Sequence, residues 1–420
     1  MQYVLLNRDN VVEAVSPRPF EKETGHALEV KEDLSAGDLL GRQVVVKNPE
    51  KMKLAVICNW NTPCGISTYS KYLVDALRPK VGELRIFSEE GVDTLNDHED
   101  NVVRCWRRGD NMRSTIKKIM DWGATFVLIQ HEFGIFPNAS HFLRMLHDMA
   151  KIPYAVMLHS VYTHRDKTVS TSAIKNIMVH SNQAKETLRF MGHDSNIYVV
   201  PHGCVVLDDV EPLWNTFQTP YAIVQFGFGF RYKGVDRAIE AVAHLKKTDP
   251  KFKDIFYCYL CSQTSNGKNT HSDYVDFLCD KIESLDVRDN VAIIEKFHTE
   301  QVINNWLRTA KLALFPYIVD PDNTVFGASG AVRIAMANGI PVVASESHLF
   351  DDLDGVIPRP KGYLELAGEI DRIFSDENYR NMLVERNKSY IKANDWSATA
   401  DRYLAAFDTI LSSGDYLVVD

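Results

Sequence analysis

Residues 329–345 read SGAVRIAMANGIPVVAS. Ser329, Gly330 and Ala331 lead into a short apolar run with helical spacing; Asn338 and Gly339 end it, and IPVVAS follows as an apolar strand running into a loop. The first N–H groups of a helix have no intrahelical partners, and small residues at its start let an anion approach them. The unit therefore reads as turn, helix and buried strand, with Ile334 rather than a charged residue in the middle of the helix.

Outward from this unit the same alternation repeats. Upstream, YAIVQFGFG, DIFYCYLC, NVAIIEKF and LALFPY are strand-like, and DRAIEAVAHLKK, SDYVDFLCDKIESL and TEQVINNWLRTA have helical spacing. An earlier series begins with KLAVICNW and continues through LRIFS, TFVLIQ, YAVML, NIMVHS and IYVVP. Strands alternating with helices imply parallel sheets with crossover helices. The chain divides into a β-rich appendage (1–50), a Rossmann-like half (51–205), a linker (206–218), a second Rossmann-like half (219–395) and a C-terminal helix and tail (396–420). The appendage has four short strand candidates, YVLL, VVEAV, ALEV and QVVVKN, and no chemical motif. In open parallel sheets ligands sit outside the carboxyl ends of the strands, so two facing halves make a binding cleft.

The composition, 45% hydrophobic and 25% charged over 420 residues, suits a globular chain with two or three cores. No run of eighteen apolar residues is present, so no membrane-spanning helix is expected. MQYVLLNRDNVVEAV lacks the basic and apolar segments of a signal peptide. Seven irregularly spaced cysteines argue against a disulfide framework, and a cytoplasmic location is expected. Cys258 and Cys261 form a CxxC, open to a redox or zinc reading, but without a second CxxC or a His pair a plain buried strand fits better. The net charge of −9 opposes polyanion binding except at a local patch, for which RCWRRGDNMRSTIKK (104–118) is the candidate.

The ordered set NTPCGISTYSKYL, WRRGD, LIQHEFGIF, VMLHSVYTH, VVPHG, FGFGFRYKGVDRAIEA and SGAVRIAMANGIPVVAS resembles the retaining glycosyltransferases of the GT-B fold, family 4, over most of residues 53–412. The resemblance implies an α/β protein with two Rossmann-like doubly wound domains facing across a cleft. A nucleotide-diphosphate sugar would bind the C-terminal half, and the acceptor mainly the N-terminal half. It implies front-face transfer with retention, in which the leaving phosphate takes the acceptor proton. Neither a carboxylate pair nor a metal is then required, and no cofactor is expected, since the nucleotide sugar is a substrate. What the protein must supply is positive charge and N–H donors at the leaving diphosphate.

On this resemblance Lys233 in FRYKG is the diphosphate cation, and Ser329, Gly330 and Ala331 form the helix start facing the phosphates. The family's arginine upstream of the lysine has no clear match; Phe228 stands about there, and Arg231 is a possible substitute. Gly65 either admits the diphosphate closely or serves turn geometry. His159 corresponds to the histidine that reaches the transferred sugar. Glu132 is a candidate for an acceptor hydroxyl or a hydrogen-bonded buried carboxylate; His202 is assigned to the interdomain turn. The two glutamates usual near the sugar and the ribose are replaced by Phe326 and Ile334, with Asp320 or Asp322 as candidates for the sugar. A different nucleotide pose, an unusual donor and a degenerate binding protein all fit that loss. The leading expectation is a hexosyl- or pentosyltransferase acting on a glycan, lipid or small-molecule hydroxyl. A transferase acting on modified bases of viral DNA through residues 104–118, and an inactive sugar-nucleotide binder, are the alternatives.

Overall fold

The computed structural model describes residues 2–6, 12–16, 26–30, 43–97, 99–163, 174–208, 211–262, 268–321, 324–413 and 416–419. Among these, a seven-stranded all-parallel sheet forms the N-terminal half. From edge to edge it runs Asn196–Val199, Asn176–Val179, Tyr154–Leu158, Phe126–His131, Lys53–Cys58, Glu83–Glu89 and Val102–Trp106. The second half is a five-stranded parallel sheet ordered Val291–Glu295, Phe256–Ser262, Ala222–Phe228, Leu312–Phe315, Val342–Ala344. In both sheets the first strand lies inside, with chain order reversing beside it. The reversal falls between Lys53–Cys58 and Phe126–His131 in one half, and between Ala222–Phe228 and Leu312–Phe315 in the other. Loops leaving these strand ends part in opposite directions, which opens a crevice at each.

The helices form as their patterns require. In Val235–Thr248, residues Val235, Ala238, Ile239, Val242 and Leu245 recur at three- and four-residue steps and are all buried, while Asp236 sits in the first turn where the helix dipole favours a carboxylate. Burying each large aliphatic side chain contributes about 1.5–3 kcal/mol. Cys258 and Cys261 face different cores on opposite sides of their strand, so they cannot grip one metal ion. Burial pushes each thiol up to about 12, and neither is in a disulfide.

Three features were not expected from sequence. Val102–Trp106 is a strand that takes in the start of the basic run. The terminal helix Trp396–Ser413 returns to the N-terminal half, burying Ala400, Tyr403 and Phe407 against Leu54, Val56 and Leu73. Beyond it, Tyr416–Val419 pairs in parallel with Gln43–Val46. The other three appendage strands make an antiparallel sheet with Gln2–Leu6 in the middle.

The two halves touch through a short antiparallel pairing of Ser160–Tyr162 with Val325–Gly327. The crossings between halves lie side by side, the Cys204 N–H donating to the Asn394 carbonyl at 2.7 Å. No helix of the described residues is long and apolar enough to cross a membrane.

Candidate active site

The strand Ala222–Phe228 ends in a tight turn over Arg231–Lys233. Gly234 closes the turn at φ +64°, and a Cβ there would meet the Pro316 carbonyl oxygen at 1.8 Å, so glycine is obligatory. A buried brace holds the turn: Gln225 Nε2 donates to the Lys233 carbonyl at 2.9 Å, and Tyr257 Oη donates to Gln225 Oε1 at 2.7 Å. Lys233 is thereby buried, 9% exposed. Its ammonium donates to Tyr317 Oη at 2.6 Å and lies 4.0 Å from the centre of the Tyr317 ring. Among the described residues no carboxylate pairs with it. Tyr317 Oη is 3.3 Å from Ser329 Oγ. Tyr317 therefore joins the lysine loop to the helix Gly330–Ala337, two pieces that stand apart in the sequence.

Arg231 goes elsewhere. Its guanidinium lies over the rings of Tyr274 and Phe277, 5.5 and 5.0 Å from their centres, rather than beside Lys233. Arg333, which no sequence pattern singles out, is buried in the Gly330–Ala337 helix. It pairs with Asp352, and its Nη1 donates to the Ser329 carbonyl at 2.8 Å. Tyr390 Oη also donates to Asp352, at 2.8 Å. Ala331 and Ile334 pack partly buried against the C-terminal core. Phe326 packs against the N-terminal core and stacks on His348, ring centres 4.4 Å apart. Both replacements for the usual glutamates are thus held as apolar packing groups. Asp320 is exposed; Asp322 lies outside the described residues.

Across the cleft, Gly65 starts the helix Gly65–Leu77 after the first strand. A Cβ there would meet nothing within 4 Å, and its φ lies outside the left-handed region. Neither turn geometry nor packing within the described residues requires glycine there. Glu132 Oε1 accepts from the Phe133 N–H at 3.0 Å. His131 is buried among the rings of Phe133, Phe136 and Phe142, and burial brings its pKa down to about 3.

His159 follows the strand Tyr154–Leu158 and belongs to a cluster with His180, His202, Tyr69 and Trp396. His159 Nε2 lies 2.7 Å from Gln130 Oε1, and His159 Nδ1 lies 3.3 Å from His180 Nε2. His180 Nδ1 lies 3.1 Å from the Val200 carbonyl. His202 Nδ1 meets the Gly203 carbonyl at 2.7 Å. Burial, then the neighbouring His180, holds the His159 pKa well below its ordinary value; burial is the first cause of the fall of His180 to about 4. Burial followed by Arg333 does the same for His202.

The basic run 104–118 is largely neutralised. Arg104 pairs with Glu99, Arg107 with Glu90, Arg108 with Glu89, Arg113 with Asp148 and Lys117 with Asp121. Among the described residues no group of three or more His, Cys, Asp or Glu converges to hold a metal ion.

Residues 212–390 match the family model described as glycosyl transferases group 1. The fold is that of several solved structures. A UDP-forming α,α-trehalose-phosphate synthase from Burkholderia xenovorans superposes with a TM-score of 0.67 at 12% identity, covering 86% of this chain and 99% of that one. The trehalose-6-phosphate synthase OtsA gives 0.66 at 12% identity, covering 84% and 98%. HepE from Anabaena, solved with UDP and glucose, gives 0.63 at 14% identity, covering 85% and 100%. The α/β architecture is therefore GT-B, two Rossmann-like halves across a cleft.

Proposed function

We propose that this chain, a GT-B fold whose residues 212–390 match the group 1 glycosyl transferases, transfers a sugar from a nucleotide-diphosphate donor to an acceptor hydroxyl with retention of configuration. The observation that carries the reading is the Lys233 ammonium, buried against Tyr317 without a carboxylate partner among the described residues. A buried cation without an anion costs several kcal/mol, and an arriving diphosphate offsets that cost. The start of the Gly330–Ala337 helix, reached through Ser329, supplies N–H donors to the same anion. The neighbour solved with UDP and glucose supports a nucleotide-sugar donor.

In this reading the bond between the anomeric carbon and the diphosphate oxygen breaks while the acceptor oxygen bonds to the same face. The acceptor proton passes to the leaving phosphate oxygen. Lys233 and the helix start stabilise the charge that grows on the diphosphate, which is where fixed donors accelerate the step. Gly65 leaves room for the donor on the facing half, Glu132 lies at the end of a strand on the acceptor side, and His159 adjoins the sugar position. The ion pairing of residues 104–118 favours a carbohydrate, lipid or small-molecule acceptor over DNA.

Purified protein offered a panel of nucleotide sugars should release nucleoside diphosphate slowly from one of them. Nuclear magnetic resonance of the first sugar released, taken before it mutarotates, should show the donor's own anomer. Release from none of the panel, together with no nucleotide binding, would contradict a transferase; binding without release would support the inactive binder.

A further inference from the structure

The histidine cluster contains a chain of hydrogen bonds whose direction can be worked out. A carbonyl oxygen only accepts, so His180 Nδ1, 3.1 Å from the Val200 carbonyl, carries a proton. A neutral His180 then has a lone pair at Nε2. His159 Nδ1, 3.3 Å away, must donate to it. A neutral His159 in turn has a lone pair at Nε2, facing the Gln130 carboxamide at 2.7 Å. That contact needs a donor, and the Gln130 amide nitrogen is buried with no partner in the orientation seen. A half-turn of the carboxamide supplies that donor, placing its N–H on His159 Nε2.

The other proton arrangements are worse. Reversing the His159–His180 bond with neutral rings sets a lone pair of His180 Nδ1 against the Val200 carbonyl. Keeping the carboxamide as seen, with every contact satisfied, needs an extra proton on one imidazole. His180 is buried, His159 is half-buried, and Arg333 already acts on His180; each effect opposes that proton.

We infer that His180 is a positioning residue: it holds His159 as the neutral Nδ1–H tautomer, and the Gln130 amide faces the Nε2 lone pair. His159 then meets a sugar hydroxyl as an acceptor at Nε2, exchanging with the Gln130 amide, and donates no proton in the transfer. This consequence for the reaction rests on the proposed glycosyl transfer; the tautomer itself does not.

Long-range nitrogen–proton correlation spectra of histidine-labelled full chain at neutral pH read the tautomer directly. Single substitutions His159→Gln and His180→Gln assign the two rings. Both should be neutral with the proton on Nδ1. A proton on His159 Nε2, or on both nitrogens, would overturn the inference. In His180→Phe the His159 proton should move to Nε2 and turnover should fall at least tenfold with nucleoside diphosphate affinity kept. His180→Gln, which restores an acceptor near the Nε2 position, should recover much of the loss. An unchanged His159 tautomer and unchanged turnover in His180→Phe would also refute the assignment. Absence of nucleotide binding in the unmodified protein would instead refute the proposed function and leave the spectra to decide the tautomer.

Discussion

The carbonyl oxygen of His159 occupies the place next to Gly327 that a side chain would need: a Cβ at residue 327 would lie 2.6 Å from it. Gly327 is also the register partner of Ser160 in the strand pairing that joins the halves. Close backbone approach here connects the end of an N-terminal strand to the segment leading into Ser329. Gly327→Ala should force this pairing apart, since the obstacle is backbone and cannot swing away. Crowding of this kind costs about 1–3 kcal/mol. A lowered urea midpoint together with lost turnover is expected; a variant as stable and active as the parent would show that the pairing is dispensable.

Gly65 offers the opposite case. With nothing within 4 Å of where a Cβ would lie and an ordinary φ, Gly65→Ala should leave stability unchanged or slightly raised. If the open space holds the donor, the same variant should bind donor sugar more weakly. Thermal unfolding with and without the donor separates the two effects, and equal donor-induced stabilisation in variant and parent would return Gly65 to a purely local role.

Arg333 and Asp352 form a buried ion pair beneath the start of the Gly330–Ala337 helix. Asp352→Ala leaves the guanidinium without its anion, while Tyr390 loses its acceptor. Removing one member of a buried pair costs about 3–5 kcal/mol. Chemical denaturation should show a loss of that order; a loss below about 1 kcal/mol would mean that the pair is solvated in solution.

The buried His131 and His180, with the half-buried His159 and His202, set an acid limit on stability. His131 at about 3 and His180 at about 4, with His159 and His202 also well depressed, stay neutral in the fold while the unfolded chain titrates near 6.5. The unfolded state therefore takes up protons first as pH falls, so stability is full above about 6.5 and declines below it, by about 1.4 kcal/mol per pH unit for each such histidine. Urea midpoints from about pH 8 to about pH 5 should fall on the acid side, and His131→Phe, which suits its ring-lined site, should reduce the slope by one histidine's share. Flat midpoints over that range would contradict the burial of these rings.

Much of this architecture was legible. Near-continuous apolar runs such as KLAVICNW and YAIVQFGFG, bounded by turn residues, read as strands covered on both faces, and their alternation with helices implies parallel sheets. Lys233 and Ser329 stood out because glycines and small residues surround them. Tyr317 did not, since a tyrosine after LALFP follows no spacing rule, and its role depends on two loops meeting. His180 ends NIMVHS as any strand end might; only the sheet brings it beside His159. Arg104 in VVRCW disguised a strand, because its guanidinium is carried to Glu99 in the segment ahead of the strand. The terminal helix showed an apolar face, but nothing in that face said which half it would cover.

The central claim is that Lys233, Tyr317 and Ser329 make an anion site for a nucleotide diphosphate. Calorimetric titration of the parent and of Lys233→Met with nucleoside diphosphates and with the matching nucleosides tests it most directly. Charge-assisted hydrogen bonds contribute about 1.5–3 kcal/mol, so the variant should lose about ten- to a hundredfold in diphosphate affinity. Nucleoside affinity should stay nearly unchanged, and the urea midpoint should hold or rise as an unpaired buried cation is replaced by an apolar chain. Equal losses for diphosphate and nucleoside, or no loss for either, would contradict the site.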